Sequence, residues 1–278
     1  MLSVNTIRSS SYFAMILSVT AGVLLVGNVA QAGLIHHYQA EGNANDSVGS
    51  HHGVEADGVG YAASMPGMGQ AFSFSGDGNS NIDTNEVTIP ESGDRTIAFW
   101  MKSGVDQTST YNGQTLHVPV SQGHSNKGLT FQFGSFGNPH LVYCCRSGSQ
   151  LGAGSVIESY PSDSVDWHHV AVTYNSTSSE NKIYVDGVQS NVYSIGGGPG
   201  TSESSWVGDT TSNGNTLRFG TDDELSNRTY NGLLDDVRVY DSELSAADVS
   251  ALVPEPTSCL LIVVGLGMMF VAHRRKKS

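Results

Sequence analysis

The sequence predicts an all-β fold, a two-sheet antiparallel β-sandwich of jelly-roll type, over residues 33–252. Apolar residues alternate with small or polar ones in many stretches of this region, and a period of two is typical of half-buried strands. Gly, Ser and Asn separate these stretches, and no sustained 3.6-residue periodicity interrupts them. The region holds 220 residues, which is enough for one sandwich with a substantial core.

The most regular part of the chain lies between residues 168 and 187. Val170, Val172 and Tyr174 share one face of a predicted strand, and a second strand, Ile-Tyr-Val, follows a polar gap. Asp186-Gly187 comes directly after the second strand. This dipeptide tolerates positive φ and therefore predicts a tight reversal.

Two earlier strands are expected at 70–75 and 96–102, with aromatic and aliphatic side chains facing inward at alternate positions. Trp100 lies on the opposite face of the second strand. It either packs against a neighbouring loop or serves as a platform for a sugar ring. Packing is the more frequent fate of a single Trp in a sandwich.

Histidines occur in adjacent pairs at 36–37, 51–52 and 168–169, and the first pair lies in a strand predicted at 34–39. Neighbouring residues of a strand point to opposite faces, so such a pair cannot bind one metal ion without distortion. We interpret these histidines first as polar residues of strands and loops, and only second as zinc ligands.

Shorter strands are expected at 116–120, 129–133 and 141–145. The last contains Cys144 and Cys145, which as neighbours cannot join distant strands and either form a vicinal disulfide or stay reduced. Residues 193–215 are rich in Gly, Ser and Thr and predict a long surface loop, where Trp206 is a second candidate sugar platform.

The last strand is predicted at 233–240, and strict alternation places Asp235 on its apolar face. A buried carboxylate needs a partner, because an unpaired buried charge is costly or shifts its pKa. After the strand, Ser245 is expected to cap a short helix, with Asp248 at the capping-box position. The residues of the predicted apolar face are Leu233, Asp235, Val237 and Val239.

Residues 1–32 have the pattern of a secretory signal peptide. Arg8 precedes an apolar run at 12–26, and Ala30-Gln31-Ala32 fits a small-residue cleavage site before Gly33. The alternative is a retained membrane anchor. We favour removal, because the apolar run is short and contains polar residues and a glycine.

Residues 253–278 combine a Pro254-Glu255-Pro256 motif, an apolar segment at 259–272 and a basic tail. As a helix the apolar segment is about 21 Å long, against a hydrocarbon core of about 30 Å, so it is short for a permanent span. The basic tail is expected to stay cytoplasmic, which leaves the preceding domain outside the inner membrane.

Residues 33–252 contain 25 acidic and 8 basic side chains, a formal charge of −17. Nucleic acids and anionic lipids are bound by neutralising phosphates with Lys and Arg, so an acidic surface repels them. We therefore expect no nucleic-acid binding.

The region around residues 168–187 resembles laminin-G-like domains of the concanavalin A-like lectin and glucanase superfamily, and further segments match in the same order. The C-terminal arrangement resembles the PEP-CTERM sorting signal, which implies processing by an exosortase. The matching segments are Trp-His-His-Val-Ala-Val-Thr-Tyr from Trp167, Ile-Tyr-Val-Asp-Gly from Ile183, Glu-Gly-Asn-Ala-Asn-Asp-Ser from Glu41, Gly-Gln-Ala-Phe-Ser-Phe-Ser-Gly from Gly69, Arg-Thr-Ile-Ala-Phe-Trp-Met-Lys from Arg95 and Asn-Gly-Leu-Leu-Asp-Asp-Val-Arg-Val-Tyr from Asn231.

The resemblance implies an exported cell-surface or matrix protein that binds an extracellular polysaccharide, a surface glycan or a protein. It also implies a calcium site, with Asp46 and Asp235 as carboxylate ligands and backbone carbonyls completing the oxygen shell. Taken without the resemblance, the loop at 43–50 is better explained as an Asx-type turn in which Asp46 caps its own backbone.

The superfamily also contains glycoside hydrolases. Retaining hydrolases need two carboxylates about 5–5.5 Å apart, which the glucanases of the superfamily take from a Glu-x-Asp-x-x-Glu strand. Glu55-Ala56-Asp57 starts this pattern, but Gly60 and Tyr61 stand where further acids are wanted. We therefore expect a binding domain and no enzyme. The alternatives are an inert spacer of the matrix and, less favoured, a hydrolase.

The mature protein is expected to lack residues 259–278, because the apolar segment behind Pro254-Glu255-Pro256 is short for a stable span. Intact mass spectrometry of protein from its native envelope measures this directly. Recovery of Arg274 to Lys277 in the mature protein would refute it.

Overall fold

A computed structural model describes residues 33–104, 116–124, 127–135, 139–147, 154–157, 166–190, 192–195, 206–207, 216–222 and 229–253. The predicted signal peptide at 1–32 and, apart from Val253, the predicted sorting signal at 253–278 lie outside these residues. In the described part, no helix combines the length and apolar character that a membrane crossing requires.

The strands form two sheets, and every strand pair within them is antiparallel, which confirms the predicted sandwich. The first sheet has the order β14 (Val188–Gln189), β13 (Glu180–Val185), β12 (His168–Asn175), β6 (Arg95–Ser103), β18 (Asn231–Tyr240), β4 (Gln70–Ser75) and β3 (Gly60–Ala63), with β1 (Leu34–Tyr38) beside β18 and β16 (Trp206–Val207) beside β13. The second has the order β15 (Val192–Ile195), β11 (Gly154–Ile157), β10 (Pro139–Ser147), β9 (Lys127–Ser135), β8 (Val120–His124), β17 (Leu217–Phe219), β5 (Ile82–Asp83) and β2 (Val54–Glu55), with β7 (Leu116–His117) beside β9.

Aromatic rings fill the space between the two sheets. Phe72 on β4 stacks on Phe219 on β17 with ring centroids 6.0 Å apart, and Tyr38 on β1 meets Phe219 edge-on at 5.1 Å. All three side chains are fully buried. The alternation predicted at 70–75 and 96–102 is confirmed, because the inward residues of both strands lie in this core.

A short helix, α1 (Ala246–Ala251), covers part of the outer face of the first sheet. Ser245 caps it as predicted: the Asp248 amide donates to the Ser245 hydroxyl, and the Asp248 carboxylate accepts from the Ser245 amide. Both faces of this sheet are therefore partly covered. The apolar cluster between the helix and the sheet consists of Ala98, Ala171, Tyr184, Tyr240, Leu244, Val249 and Leu252.

The final strand departs from the predicted alternation. The register of β18 against β6 shifts between Asp235 and Arg238, where β18 carries one extra residue, and Asp236 has a φ of 52°. This β-bulge changes which side chains share a face. Leu234 enters the core with Val237 and Val239, so the prediction that Leu233 and Asp235 share the core face with those valines is wrong.

The predicted turn at Asp186-Gly187 and the predicted surface loop at 193–215 have different outcomes. The reversal after β13 is confirmed, because Asp186 and Gly187 have φ values of 51° and 77°. The region 193–215 is not purely a loop. Its described residues belong to β15, which pairs with β11, and to β16, which pairs with β13 in the other sheet.

Candidate functional site

A cleft of about 380 Å³ opens at the bulge of β18. On the side of β18 away from β6, β4 pairs with residues 231–234 and β1 pairs with residues 237–240. Neither strand covers the two residues between these stretches, so a gap remains. The segment that follows β1 and the loop that precedes β4 form its walls. The lining residues are Gln39, Glu41, Gly67, Met68, Gly69, Asp235 and Asp236.

Asp235 lies in this cleft and is 1% exposed. Its carboxylate accepts hydrogen bonds from the Ser64 hydroxyl at 2.5 Å and from the Asp236 amide at 2.7 Å. Burial raises the pKa of Asp235 to about 7, and the negative charges of Asp236 and Glu41 act in the same direction against these two hydrogen bonds. Its two donors therefore do not fully compensate its charge.

The negative charge of the next residue, Asp236, is well compensated by hydrogen-bond donors. Its Oδ1 atom accepts from Nε2 of His37 at 2.6 Å and from Nε of Arg238 at 3.0 Å. Burial opposes ionisation of Asp236, but these two donors outweigh it and its pKa is lowered. This network ties β1 to the bulge of β18.

Glu41 is exposed at the other wall of the cleft, and its two carboxylate oxygens each lie 3.4 Å from the Gln70 amide. Gly69 makes this approach possible. Its φ is 73°, and a Cβ atom at this position would collide with the Glu41 carboxylate. The cleft therefore brings the buried carboxylates of Asp235 and Asp236 together with the exposed carboxylate of Glu41.

Asp46 has a different environment, at the loop after β1. Its carboxylate is 4% exposed and accepts from Nδ1 of His36 at 2.6 Å and from four backbone amides at 2.9–3.2 Å. Burial raises its pKa, but these donors outweigh burial and lower the pKa to about 2. The four amides belong to His37, Val48, Gly49 and His51.

These environments do not fit one calcium ion held by Asp46 and Asp235 together. Both oxygens of Asp46 are occupied by N–H donors, and the residue does not line the cleft that contains Asp235. The described residues contain no group of three or more His, Cys, Asp or Glu side chains placed to hold a metal ion. The Asx-type turn considered as the alternative accounts for Asp46.

The two candidate platforms are placed differently. Trp100 is 5% exposed, its ring centroid lies 5.2 Å from that of His169, and its indole nitrogen has no hydrogen-bond partner among the described residues. This position favours the packing alternative. Trp206 pairs with Asn181 in the register between β16 and β13.

The adjacent histidines also have separate roles. His36 binds Asp46 and His37 binds Asp236, on opposite faces of β1. His168 contacts Asp186 at 2.8 Å, whereas His169 is 2% exposed and burial lowers its pKa to about 4. Cys144 and Cys145 lie on β10, where they pair in register with Thr130 and Leu129 of β9.

Sequence reasoning did not identify Glu41, Asp236 or the Gly69 loop as parts of a site. The adjacent acids at 235 and 236 were the available signal, because strict alternation cannot place both acids of such a pair on one solvent-facing side. Residues 39–41 and 67–69 come together only because β1 and β4 are neighbours along one side of β18.

A model of the laminin-G family, described as concanavalin A-like lectin/glucanases superfamily, matches residues 76–250, more than half of the chain. The chain belongs to this superfamily. The match begins after β4, so β1 to β4 and the Glu41 wall of the cleft precede the matched region. No curated protein matches the chain in sequence.

Solved structures share this concanavalin A-like fold. Domain 4 of AbnA, a GH43 extracellular arabinanase from Geobacillus stearothermophilus, in complex with arabinotriose, is 20% identical with a TM-score of 0.55, covering 80% of this chain and 99% of that one. The botulinum neurotoxin type G receptor binding domain is 16% identical with a TM-score of 0.53. The serotype D ligand binding domain, in complex with N-acetylneuraminic acid, is 18% identical with a TM-score of 0.54. Each toxin comparison covers 79% of this chain and 50% of the toxin domain.

Replacement of Asp46 by Ala should lower the free energy of unfolding by about 3 kcal/mol, because it leaves several backbone amides without their acceptor. Urea unfolding at pH 7 measures this loss. Asp57→Ala, at an exposed acid, is the matched control and should change stability by less than about 0.5 kcal/mol. Equal stability of the two variants would contradict the assigned role of Asp46.

The raised pKa of Asp235 predicts a pH dependence of stability. Between the ordinary pKa of 3.8 and the folded value of about 7, the folded protein holds a proton that the unfolded chain has lost. The contribution of Asp235 is therefore complete below pH 3.8 and falls as pH rises, by up to about 1.4 kcal/mol per pH unit. Asp235→Asn cannot titrate and should lose this slope.

His169 changes the free energy of unfolding in the opposite direction as pH rises, because its folded pKa of about 4 lies below its ordinary value of 6.5. The two effects are separated by subtracting the unfolding free energy of Asp235→Asn from that of the wild type at pH 4.5, 5.5, 6.5 and 7.5. The difference should fall steadily over this range. A difference independent of pH would show that Asp235 is ionised throughout.

Proposed function

We propose that this chain is an exported carbohydrate-binding domain of the cell surface, and that the cleft at Asp235 and Glu41 holds a calcium ion that supports binding. The observation that carries the proposal is a polar, solvent-open cleft on a fold whose solved relatives include a domain in complex with arabinotriose and one in complex with N-acetylneuraminic acid. A concave cleft in which a rigid sheet holds a few convergent polar groups can fix the orientation of a small polar ligand.

The donor set of the cleft suits a hard cation. The ionised form of Asp235 is not fully compensated by its hydrogen bonds, Glu41 adds a second carboxylate, and both side chains supply oxygen donors of the kind calcium prefers. Calcium would neutralise these charges and order the segments that form the walls. This assignment keeps Asp235 as a ligand and replaces Asp46 by Glu41.

Export and processing are part of the proposal. The signal-peptide pattern at 1–32 and the sorting pattern at 253–278 support delivery across the inner membrane, transient anchoring by the C-terminal segment and cleavage by an exosortase-type protease. The strongly acidic domain then meets extracellular polysaccharide or surface glycans.

A glycan array probed with the purified protein tests this proposal. One array contains about 2 mM CaCl₂, enough to occupy a typical extracellular calcium site, and the other contains a chelator. We expect binding to at least one glycan class, and calcium should raise the unfolding free energy by about 2.7 kcal/mol at a hundred times its Kd. Asp235→Asn and Glu41→Gln should abolish the calcium gain. Asp57→Asn is the control for a lost surface charge and should retain it.

The variant Asp46→Asn shows whether the calcium ion binds in the cleft at Asp235 or at the loop that contains Asp46. It should lower stability but keep the calcium-dependent gain, because Asp46 does not line the cleft. If instead Asp46→Asn removes the gain, the ion binds at the loop. Failure to bind any glycan, with or without calcium, would support an inert spacer domain.

A further inference from the structure

A second cavity, of about 350 Å³, lies at the edge of the first sheet, between β13, β14 and the start of α1. Its size is within the range of small-ligand pockets, about 300–1,000 Å³. Lys182 and Tyr184 come from β13, Gln189 comes from β14, and Glu243 comes from the segment between β18 and α1. The cavity is thus built by three elements and is separate from the cleft at Asp235.

Its polar groups are held in place before any ligand arrives. Nζ of Lys182 donates to Oε1 of Glu243 at 2.9 Å and lies 3.4 Å from a Glu180 oxygen, while the Asn175 side-chain amide donates to Oε2 of Glu243 at 2.7 Å. The side chains of Lys182 and Glu243 are 26% and 20% exposed, so they also face solvent.

This arrangement leaves capacity for both kinds of hydrogen bond. An ammonium group has three N–H donors, of which two are directed at carboxylates here, and an ionised carboxylate has about four acceptor sites, of which Glu243 uses two. Counted over the contacts between described residues, one donor position of Lys182 and two acceptor positions of Glu243 remain close to each other. Neighbouring hydroxyl groups of a sugar match this pattern, because each can donate and accept.

The charge of the cavity restricts the ligand class. Lys182 is paired with two carboxylates, which gives a local excess of one negative charge, and the domain as a whole carries −17 over residues 33–252. An anionic sugar would be repelled by these carboxylates, and a cation would compete with the ammonium of Lys182. A neutral polyhydroxyl ligand is not repelled by the carboxylates and does not compete with the ammonium of Lys182.

We propose that the cavity lined by Lys182, Tyr184, Gln189 and Glu243 is a binding subsite for neutral oligosaccharides. The proposal rests on the carbohydrate-binding function argued above and adds a place and a ligand class to it. Vicinal hydroxyls accept from Nζ of Lys182 and donate to Glu243, and the chain of the oligosaccharide leaves over the exposed start of α1.

Two alanines of α1 provide a matched test. Ala246 lines the cavity, whereas the next residue, Ala247, does not, and both are exposed in the first turn of the helix. Ala246→Phe should fill the cavity and lower affinity at least tenfold. Ala247→Phe adds the same bulk outside the cavity and should bind within about twofold of the wild type, since isolated surface changes have small effects.

The full-length protein and its variants are titrated with the best neutral oligosaccharide from an array that includes arabinotriose, and with N-acetylneuraminic acid as the anionic comparison. Lys182→Met should also weaken neutral binding about tenfold or more, because a hydrogen bond to a charged group is lost. Lys102→Met, at another partly buried lysine of the same sheet, should not. Melting temperatures confirm that each variant is folded.

The outcomes separate the two proposals. Loss of neutral-glycan affinity in Ala246→Phe and Lys182→Met, with both controls unchanged, supports the subsite. If the wild type binds neutral glycans and Ala246→Phe binds them equally well, the subsite is overturned while the carbohydrate-binding function stands. Preference for N-acetylneuraminic acid overturns the ligand class. Absence of all glycan binding overturns both proposals.

Discussion

β1 and β4 both pair with the same side of β18, and the bulge between Asp235 and Arg238 is what accommodates them. The extra residue shifts the alternation, so Leu234 and Val237 both enter the core although they are three residues apart. Among the described strands, none pairs with Asp235 and Asp236 on that side of β18. The cleft therefore exists because of a change in strand pairing and does not depend on an extended loop.

The positive φ of Asp236 is held by its side chain. His37 from β1 and Arg238 from β18 itself donate to one carboxylate oxygen, so the network closes around the bulge. A non-glycine residue in this conformation is strained unless its surroundings fix it. Here the hydrogen bonds that fix the bulge also neutralise one of its two acids. The other acid, Asp235, keeps a raised pKa because burial opposes its charge and its two neutral donors, the Ser64 hydroxyl and the Asp236 amide, do not offset burial.

The three buried aspartates Asp46, Asp235 and Asp236 thus differ in pKa although their side chains are chemically identical. Asp46 and Asp236 are ionised because N–H donors surround them, and Asp235 resists ionisation because burial and neighbouring charges outweigh its donors. Asp235 and Asp236 each accept from two donors, so the kind of donor decides between them: Asp236 accepts from His37 and the Arg238 guanidinium, whereas Asp235 accepts from a neutral hydroxyl and a backbone amide. Of these three acids, only Asp235 has a charge that its donors do not compensate, which is why the proposed cation is assigned there.

α1 lies beside a second polar cavity at the edge of the first sheet, between β13, β14 and the segment after β18.

The sequence by itself determined the fold class, the inward faces of β4, β6 and β12, the turn at Asp186-Gly187 and the cap of α1. These features depend on local patterns: a period of two, a dipeptide that accepts positive φ, and a Ser three residues before an Asp. The sequence also marked Asp235 as a carboxylate in need of partners. Its face, its hydrogen-bond donor Ser64, its place in one cleft with Glu41, and its separation from Asp46 were decided by the tertiary structure. Such features depend on strand register and on segments almost 200 residues apart, such as His37 and Asp236, which no local pattern encodes.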